Sequence, residues 1–182
     1  MVLEHLSNAT TSVVVADGHG APTILYWGTR LPEHTDLDAL ALALRRGRPH
    51  GTMDEPDPLT VVPEHARGFA GHPGISGMRP DGTSWAPRFE TVSLTRLGTT
   101  VVVESIDRVA GLALRCEISL DNALTVCAEL SNIGNADYWL GELTVTLPVP
   151  GHATEVVTFD GRWAREMQPH RRTLGTGATV LE

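Results

Sequence analysis

The sequence contains no lysine: all 14 basic residues are arginine, set against 22 acidic residues for a formal net charge of -8. Arginine could serve bidentate recognition, but its exclusive use across every region of the chain reads as codon preference. No basic run is longer than Arg45-Arg46 or Arg171-Arg172, so the electrostatic footprint that phosphate binding requires is missing, and nucleic acid and anionic membranes are excluded as expected partners. Long hydrophobic runs are also missing. No 18-residue apolar stretch exists, and Met1 to Ser12 lacks a basic segment followed by an apolar one, so no membrane helix or signal peptide is read and a cytoplasmic protein is expected. Asn8-Ala9-Thr10 fits the glycosylation acceptor pattern, which carries no weight without a secretion signal.

Chemistry-bearing motifs are equally scarce. The eight histidines include no H-x-H, H-E-x-x-H or C-x-x-C context, and His65 and His72 in a glycine-rich stretch read as loop-packing residues, so no metal is expected. Neither a G-x-S-x-G, a P-loop nor a dinucleotide fingerprint occurs, and no cofactor is expected. Glycoside hydrolysis needs two carboxylates in a set geometry. Asp160 and Glu166 are close in sequence, but they interleave with Arg162 and Arg165 and read as structural ion pairs at a strand exit.

What the chain has is turns and β-branched runs. With 18 Gly and 12 Pro in 182 residues, the composition favours many turns over long helices, and the length suits one domain over 1–182 with a real core. Ser12 to Ala16 and Thr23 to Trp27 read as strands around an Asp17 to Pro22 turn. Leu37, Leu40, Ala41 and Leu44 recur at helical spacing after a capping-box-like Thr35 and Asp38, which predicts one short amphipathic helix closed by Gly47. Between Arg45 and Arg88 lie seven prolines. That stretch reads as a long irregular loop with one strand near Leu59 to Val62, packed down by Phe69, Ile75, Met78 and Trp85. From Phe89 onward the pattern is continuous β: Thr91 to Leu94, Val101 to Ile106, Leu112 to Leu120, Leu124 to Leu130, Leu140 to Leu147 and Glu155 to Phe159. Short strands at such regular spacing predict an all-β antiparallel sandwich or barrel.

Burial fixes the register of the two strands that carry the cysteines. A two-residue turn after Leu120 would expose Leu124 and Val126, whereas the odd-length loop Asp121-Asn122-Ala123 aligns Leu120 with Leu124, Ile118 with Val126 and Leu114 with Leu130. Cys116 and Cys127 then face opposite sides of the sheet, and no disulfide is expected. Tyr26-Trp27 and Tyr138-Trp139 point to opposite strand faces, so most aromatic residues read as core or interface packing. Trp27, Trp85 and Trp139 remain available to the alternative of a free-standing carbohydrate-binding sandwich. A purely structural assembly module is the other alternative.

Several tracts are held in common with a known family. Leu25-Tyr26-Trp27-Gly28 forms a strand end, Pro63-Glu64 opens a glycine- and proline-rich loop closed by Trp85-Ala86-Pro87-Arg88-Phe89, and Leu130-Ser131-Asn132-Ile133-Gly134 is followed by Tyr138. Leu147-Pro148-Val149-Pro150 precedes Gly161-Arg162-Trp163-Ala164-Arg165-Glu166, the most specific of these tracts. Together they resemble the N-terminal domain of glycoside hydrolase family 36 α-galactosidases. The resemblance implies a galactose-mutarotase-like β-supersandwich with one short helix and a long irregular loop. It also implies a downstream catalytic (β/α)8 barrel that carries the catalytic aspartates, so no catalytic residue falls in this chain, which alone is expected to be inactive. Further implications are a homo-oligomeric parent enzyme and an α-galactoside substrate met indirectly, with Asp54 the nearest loop acid to reach a neighbouring active site. Arg162, Trp163, Arg165 and Glu166 are then candidates for docking against the barrel.

Overall fold

The computed structural model describes residues 1–45, 47, 58–150 and 152–175. They group into two compact units, Met1–Pro148 and Val149–Glu182, and the architecture is all-β with a single short α-helix.

The first unit begins with an antiparallel sheet of β1 (Leu3–Ser7), β2 (Thr11–Ala16) and β3 (Thr23–Thr29). Asn8 makes the β1–β2 turn: its side-chain oxygen accepts from the Thr10 and Thr11 N–H groups, and its amide donates to the Asp121 carbonyl at 2.6 Å. The amide that glycosylation would need is therefore engaged. Val13, Val14 and Val15 are all fully buried, which explains why β2 reads as an unbroken apolar run: both of its faces are covered.

The helix α1 spans Leu37–Leu44 as predicted, but its cap is Asp36, whose carboxylate accepts from Ala39 N at 3.0 Å. Thr35 instead donates its hydroxyl to the Pro32 carbonyl. No residue of α1 is buried, and Leu42 is 71% exposed, so the helix lies loosely on its neighbours. Removing its cap by Asp36→Ala should cost about 1 kcal/mol, read as a reduced urea midpoint; an unchanged midpoint would show that the helix contributes nothing to global stability.

The remainder of the unit is a meander with an insertion. β4 (Ile75–Met78) pairs with the distant β9 (Trp139–Leu143), while β5 (Glu90–Leu97), β6 (Thr100–Asp107), β7 (Leu112–Leu120) and β8 (Leu124–Asn132) form a four-stranded antiparallel sheet in that order. One core joins the sheets, with Leu6, Val13, Val15 and Ile24 from the first and Val101, Val103, Leu112, Leu114 and Ile118 from the second around a fully buried Phe89.

The stretch predicted as a strand near Leu59 to Val62 is buried but forms no ladder. Its Val61 donates to Pro22 and accepts from Thr146, and the flanking Pro58 and Pro63 lack the N–H groups that would extend the pairing. The strand read from Leu140 to Leu147 ends at Leu143 for the matching reason, since Thr144 and Thr146 donate to the irregular partners Gly74 and Val61.

The β7–β8 register pairs Leu120 with Leu124, Ile118 with Val126 and Leu114 with Leu130, as the burial argument requires. Cys116 faces the core and Cys127 faces outward, both as free thiols. Burial pushes the Cys116 thiol up to about 12, with the nearby Cys127 and Glu64 acting in the same direction. Under native conditions one thiol per chain should react with a maleimide, and two after denaturation; two rapid native reactions would overturn this burial assignment.

The second unit is a hairpin of β10 (Glu155–Arg162) and β11 (Arg165–Thr173). Trp163-Ala164 is its two-residue turn, and Ala164 holds the left-handed conformation at φ +64. β11 has no apolar alternation and every residue in it is exposed, so no strand was legible there. Pro169 fits in a strand because the hairpin has open edges.

Candidate functional site

Three places gather the polar and aromatic side chains of the chain, and each is built from a tract prominent in the sequence. The first lies where the Pro63-Glu64 segment meets Phe89. Glu64 is 1% exposed, and its carboxylate accepts from Phe89 N at 2.8 Å and from Arg67 Nε at 3.2 Å, with the Ala21 N–H as a further donor. Arg67 closes the ring by donating to the Phe89 carbonyl. The β2–β3 turn joins it through the Gly20 carbonyl, which accepts from Thr91 and from the buried Ser105. A Cβ on Gly20 would run into the Glu64 carboxylate and lie 2.9 Å from Phe89 O, so only glycine allows this approach. Four separate stretches of chain are thus tied to one buried charge.

Burial pushes the Glu64 carboxyl above its ordinary value, against the opposing pull of the Phe89 N–H, the Arg67 guanidinium and the Ala21 N–H. A group raised in the folded state contributes stability that is fully present below its unfolded pKa and is lost as pH rises through its folded pKa. Relative to Glu64→Gln, the wild-type chain should therefore lose stability as pH rises across the mildly acidic range. Urea unfolding at stepped pH values checks this, and two parallel stability curves would refute it.

The second place is centred on Arg79. Its guanidinium donates to the carbonyls of Ala110 at 2.5 Å, Asp137 at 3.1 Å and Ala136, reaches Asn132 Oδ1 at 3.3 Å, and lies 5.9 Å from the centroid of the Tyr138 ring. A Cβ on Gly134 would come within 2.5 Å of it. The Asn132, Gly134 and Tyr138 pattern is thus a socket for one arginine. Tyr138 also donates to Ser84 O at 3.4 Å, holding the loop that carries Trp85. Glu64, Arg67 and Arg79 were missed as organising residues; the only sequence signal was a proline beside Glu64 and beside Arg79, and Arg67, between Ala66 and Gly68, carried none.

The third place is the tip of the β10–β11 hairpin. Trp163 is 94% exposed, flanked by Arg162 and Arg165, and Phe159 and Met167 are exposed along the strands. The expected ion pairs of Asp160 and Glu166 with these arginines do not form: Asp160 faces His170 across the ladder at 3.4 Å. Trp27, Trp85 and Trp139 are also exposed, at 38%, 66% and 60%, so none of the tryptophans is a core residue. Asp54 lies outside the described residues.

Among the described residues the fully buried carboxylates are Glu64 and Asp107, and Asp107 is occupied by the N–H groups of Arg88, Val109 and Ala110 at 2.7 to 2.8 Å. Carboxylates saturated by backbone donors cap and tether; they are not free to exchange a proton with a substrate. His65 contacts the Phe69 carbonyl, and His72 pairs with Glu142 at 2.8 Å on the surface.

Residues 20–182 match the glycosyl hydrolase family 36 N-terminal domain. An α-galactosidase of Escherichia coli is 36% identical over 179 residues, covering 97% of this chain and 25% of that protein. The fold superimposes on the family 36 α-galactosidase AgaA of Geobacillus stearothermophilus in complex with 1-deoxygalactonojirimycin with a TM-score of 0.78 at 20% identity, covering 97% of this chain and 28% of that one. On the galactosidase domain of the α-galactosidase-sucrose kinase AgaSK the TM-score is 0.73 at 16% identity, with 95% and 28% covered. The chain thus spans about a quarter of the length of these relatives.

Proposed function

The chain belongs to the family 36 glycosyl hydrolases through their N-terminal domain, and from that membership we propose that it is a non-catalytic sandwich of an α-galactosidase. In this reading the parent enzyme hydrolyses terminal α-galactosides with retention on a downstream (β/α)8 barrel, and this domain supports barrel packing and oligomer assembly. The observation that supports it is the state of the fully buried acids among the described residues: Glu64 and Asp107 are both held by backbone donors or arginine.

Arg162, Trp163, Arg165 and Glu166 form the proposed docking tip, since a fully exposed tryptophan between arginines has the composition of a buried interface anchor. Asp54 is the proposed contribution to a neighbouring subunit's substrate side. The 182-residue chain should release no aryl leaving group from an aryl α-galactoside, whereas the barrel-containing enzyme should; measurable turnover by the chain alone would refute the non-catalytic role.

A second reading, a carbohydrate-binding sandwich, draws support from the exposure of Trp85 and Trp139, because indole faces stack on the apolar side of pyranoses. It requires a calorimetric response to galactosides at millimolar concentration that Trp85→Ala or Trp139→Ala abolishes.

A further inference from the structure

β1 and β2 run antiparallel with His5 opposite Val14 and Ser7 opposite Ser12, so His5 and Ser12 are diagonal neighbours on one face of the first sheet. Their side chains meet there, His5 Nε2 to Ser12 Oγ at 2.8 Å, and the Leu31 N–H donates to the same hydroxyl oxygen at 2.9 Å. Ser12 is fully buried, and all three residues belong to the first unit. Among the described residues, the Leu31 bond is the last that ties the backbone to the sheet before α1. Beyond it Thr35 bonds to Pro32 and Leu40 to Asp36, and no residue of α1 is buried.

The protons at Ser12 decide what this arrangement tolerates. A hydroxyl has one hydrogen to give. The Leu31 amide can only donate, so Ser12 Oγ accepts from it, and among the described residues the acceptor left for the hydroxyl hydrogen is His5 Nε2. The imidazole is therefore neutral, with its proton on Nδ1. A protonated ring would aim a second N–H at the same oxygen and leave the Ser12 hydrogen buried without an acceptor, which costs the full desolvation of that group.

We propose that His5, Ser12 and Leu31 form a proton-sensitive clasp: the neutral imidazole holds the connection between β3 and α1 on the sheet, and protonation of His5 releases it. The surroundings act in the same direction. Burial opposes any charge on the ring, and Arg96 on β5 and Arg30 just beyond β3 oppose a positive one, so His5 is held below the ordinary histidine value. The carboxylates on β1 and in the connection are engaged by those arginines, Glu4 with Arg96 at 3.9 Å and Glu33 with Arg30 at 3.4 Å. β2 brings no titratable side chain, and Arg115 and Glu117 of β7 pair with each other. The approach to α1 carries His34 and the capping Asp36, and α1 itself carries Asp38. A group lowered in the folded state contributes stability that is present above its unfolded value and lost as pH falls through its folded value. The clasp is thus shut at neutral pH and opens on acidification below about 6.5, the ordinary histidine value.

Nuclear magnetic resonance of the full 182-residue chain reads both halves of the clasp. The His5 ring, assigned through its backbone, should titrate below an ordinary histidine, and the Leu31 amide shift should move with the same midpoint. Glutamine supplies a neutral acceptor in place of Nε2 and does not titrate, so in His5→Gln the Leu31 amide should stay fixed across that range. Amide exchange of residues 31–44, compared between wild type and variant at one pH so that intrinsic rates cancel, should be equal at neutral pH and several-fold faster in the wild type once His5 is protonated. The wild-type titration decides by itself should the variant fail to fold. A His5 ring that titrates at or above the ordinary value, a Leu31 amide that ignores that titration, or equal exchange of the two proteins in acid would each overturn the clasp.

Discussion

Glu64→Ala is expected to destabilise the fold by about 3–5 kcal/mol, the cost of removing one partner from a buried ion pair. The variant leaves Arg67, only 9% exposed at its side chain, without its carboxylate, and it orphans the Phe89 N–H in the middle of the core. It also releases the Gly20 turn, which closes over the same carboxylate. The size of this loss does not mean that the intact pair is worth as much. Burial penalises the charge, which is why the Glu64 carboxyl is raised, and the Phe89 N–H, Arg67 and the Ala21 N–H offset only part of that penalty. Glu64→Gln, which keeps an acceptor in the same place, should therefore cost much less than Glu64→Ala. Equilibrium urea unfolding of the two variants measures the difference, and equal losses would show that the charge rather than the tether is the contribution.

Arg79→Ala should cost about 2–3 kcal/mol, because hydrogen bonds from a charged donor exceed neutral ones and several acceptors lose their partner at once. The fork matters as much as the charge. Arg79 reaches Ala110 with one guanidinium nitrogen and Ala136 and Asp137 with the other, a span that an ammonium cannot reproduce. Arg79→Lys should thus recover less than half of the loss. Near-complete rescue by lysine would reduce the socket to a simple electrostatic contact. The variant should also increase hydrogen exchange in the β6–β7 and β8–β9 turns before it affects the strands β6 and β7 themselves, because the carbonyls it frees lie at 110 and at 136–137.

The sequence disclosed those elements whose signal is local. β7 was legible to the residue because alternate side chains are buried along its whole length, and the β7–β8 register followed from burial alone. α1 was legible from its spacing, although the cap was assigned one residue early, at Thr35 rather than Asp36. β1 and β4 were not read as strands: β1 mixes polar and apolar residues, and β4 is short and takes its partner from more than sixty residues away. β11 could not be read because a hairpin with both faces wet carries no burial pattern.

The same physics governs the sites. The tracts around Trp163 and Asn132 stood out as motifs, but Arg79, which gives the second its purpose, is a lone arginine in a turn. Glu64 looked like one loop acid among 22 acidic residues. Only the fold shows that it is buried beneath Gly20 and Phe89.

The exposure of all the tryptophans has a spectroscopic consequence. Indole emission shifts to longer wavelength in water, and residues that are 38% to 94% exposed when folded already emit in a largely aqueous setting. Unfolding the chain should scarcely change the colour of its fluorescence, so a red shift is a poor measure of its denaturation. A blue shift, by contrast, would report something else: the covering of an indole by another surface. The chain thus carries four intrinsic dyes that are nearly silent to its own folding and responsive to whatever comes to rest upon it.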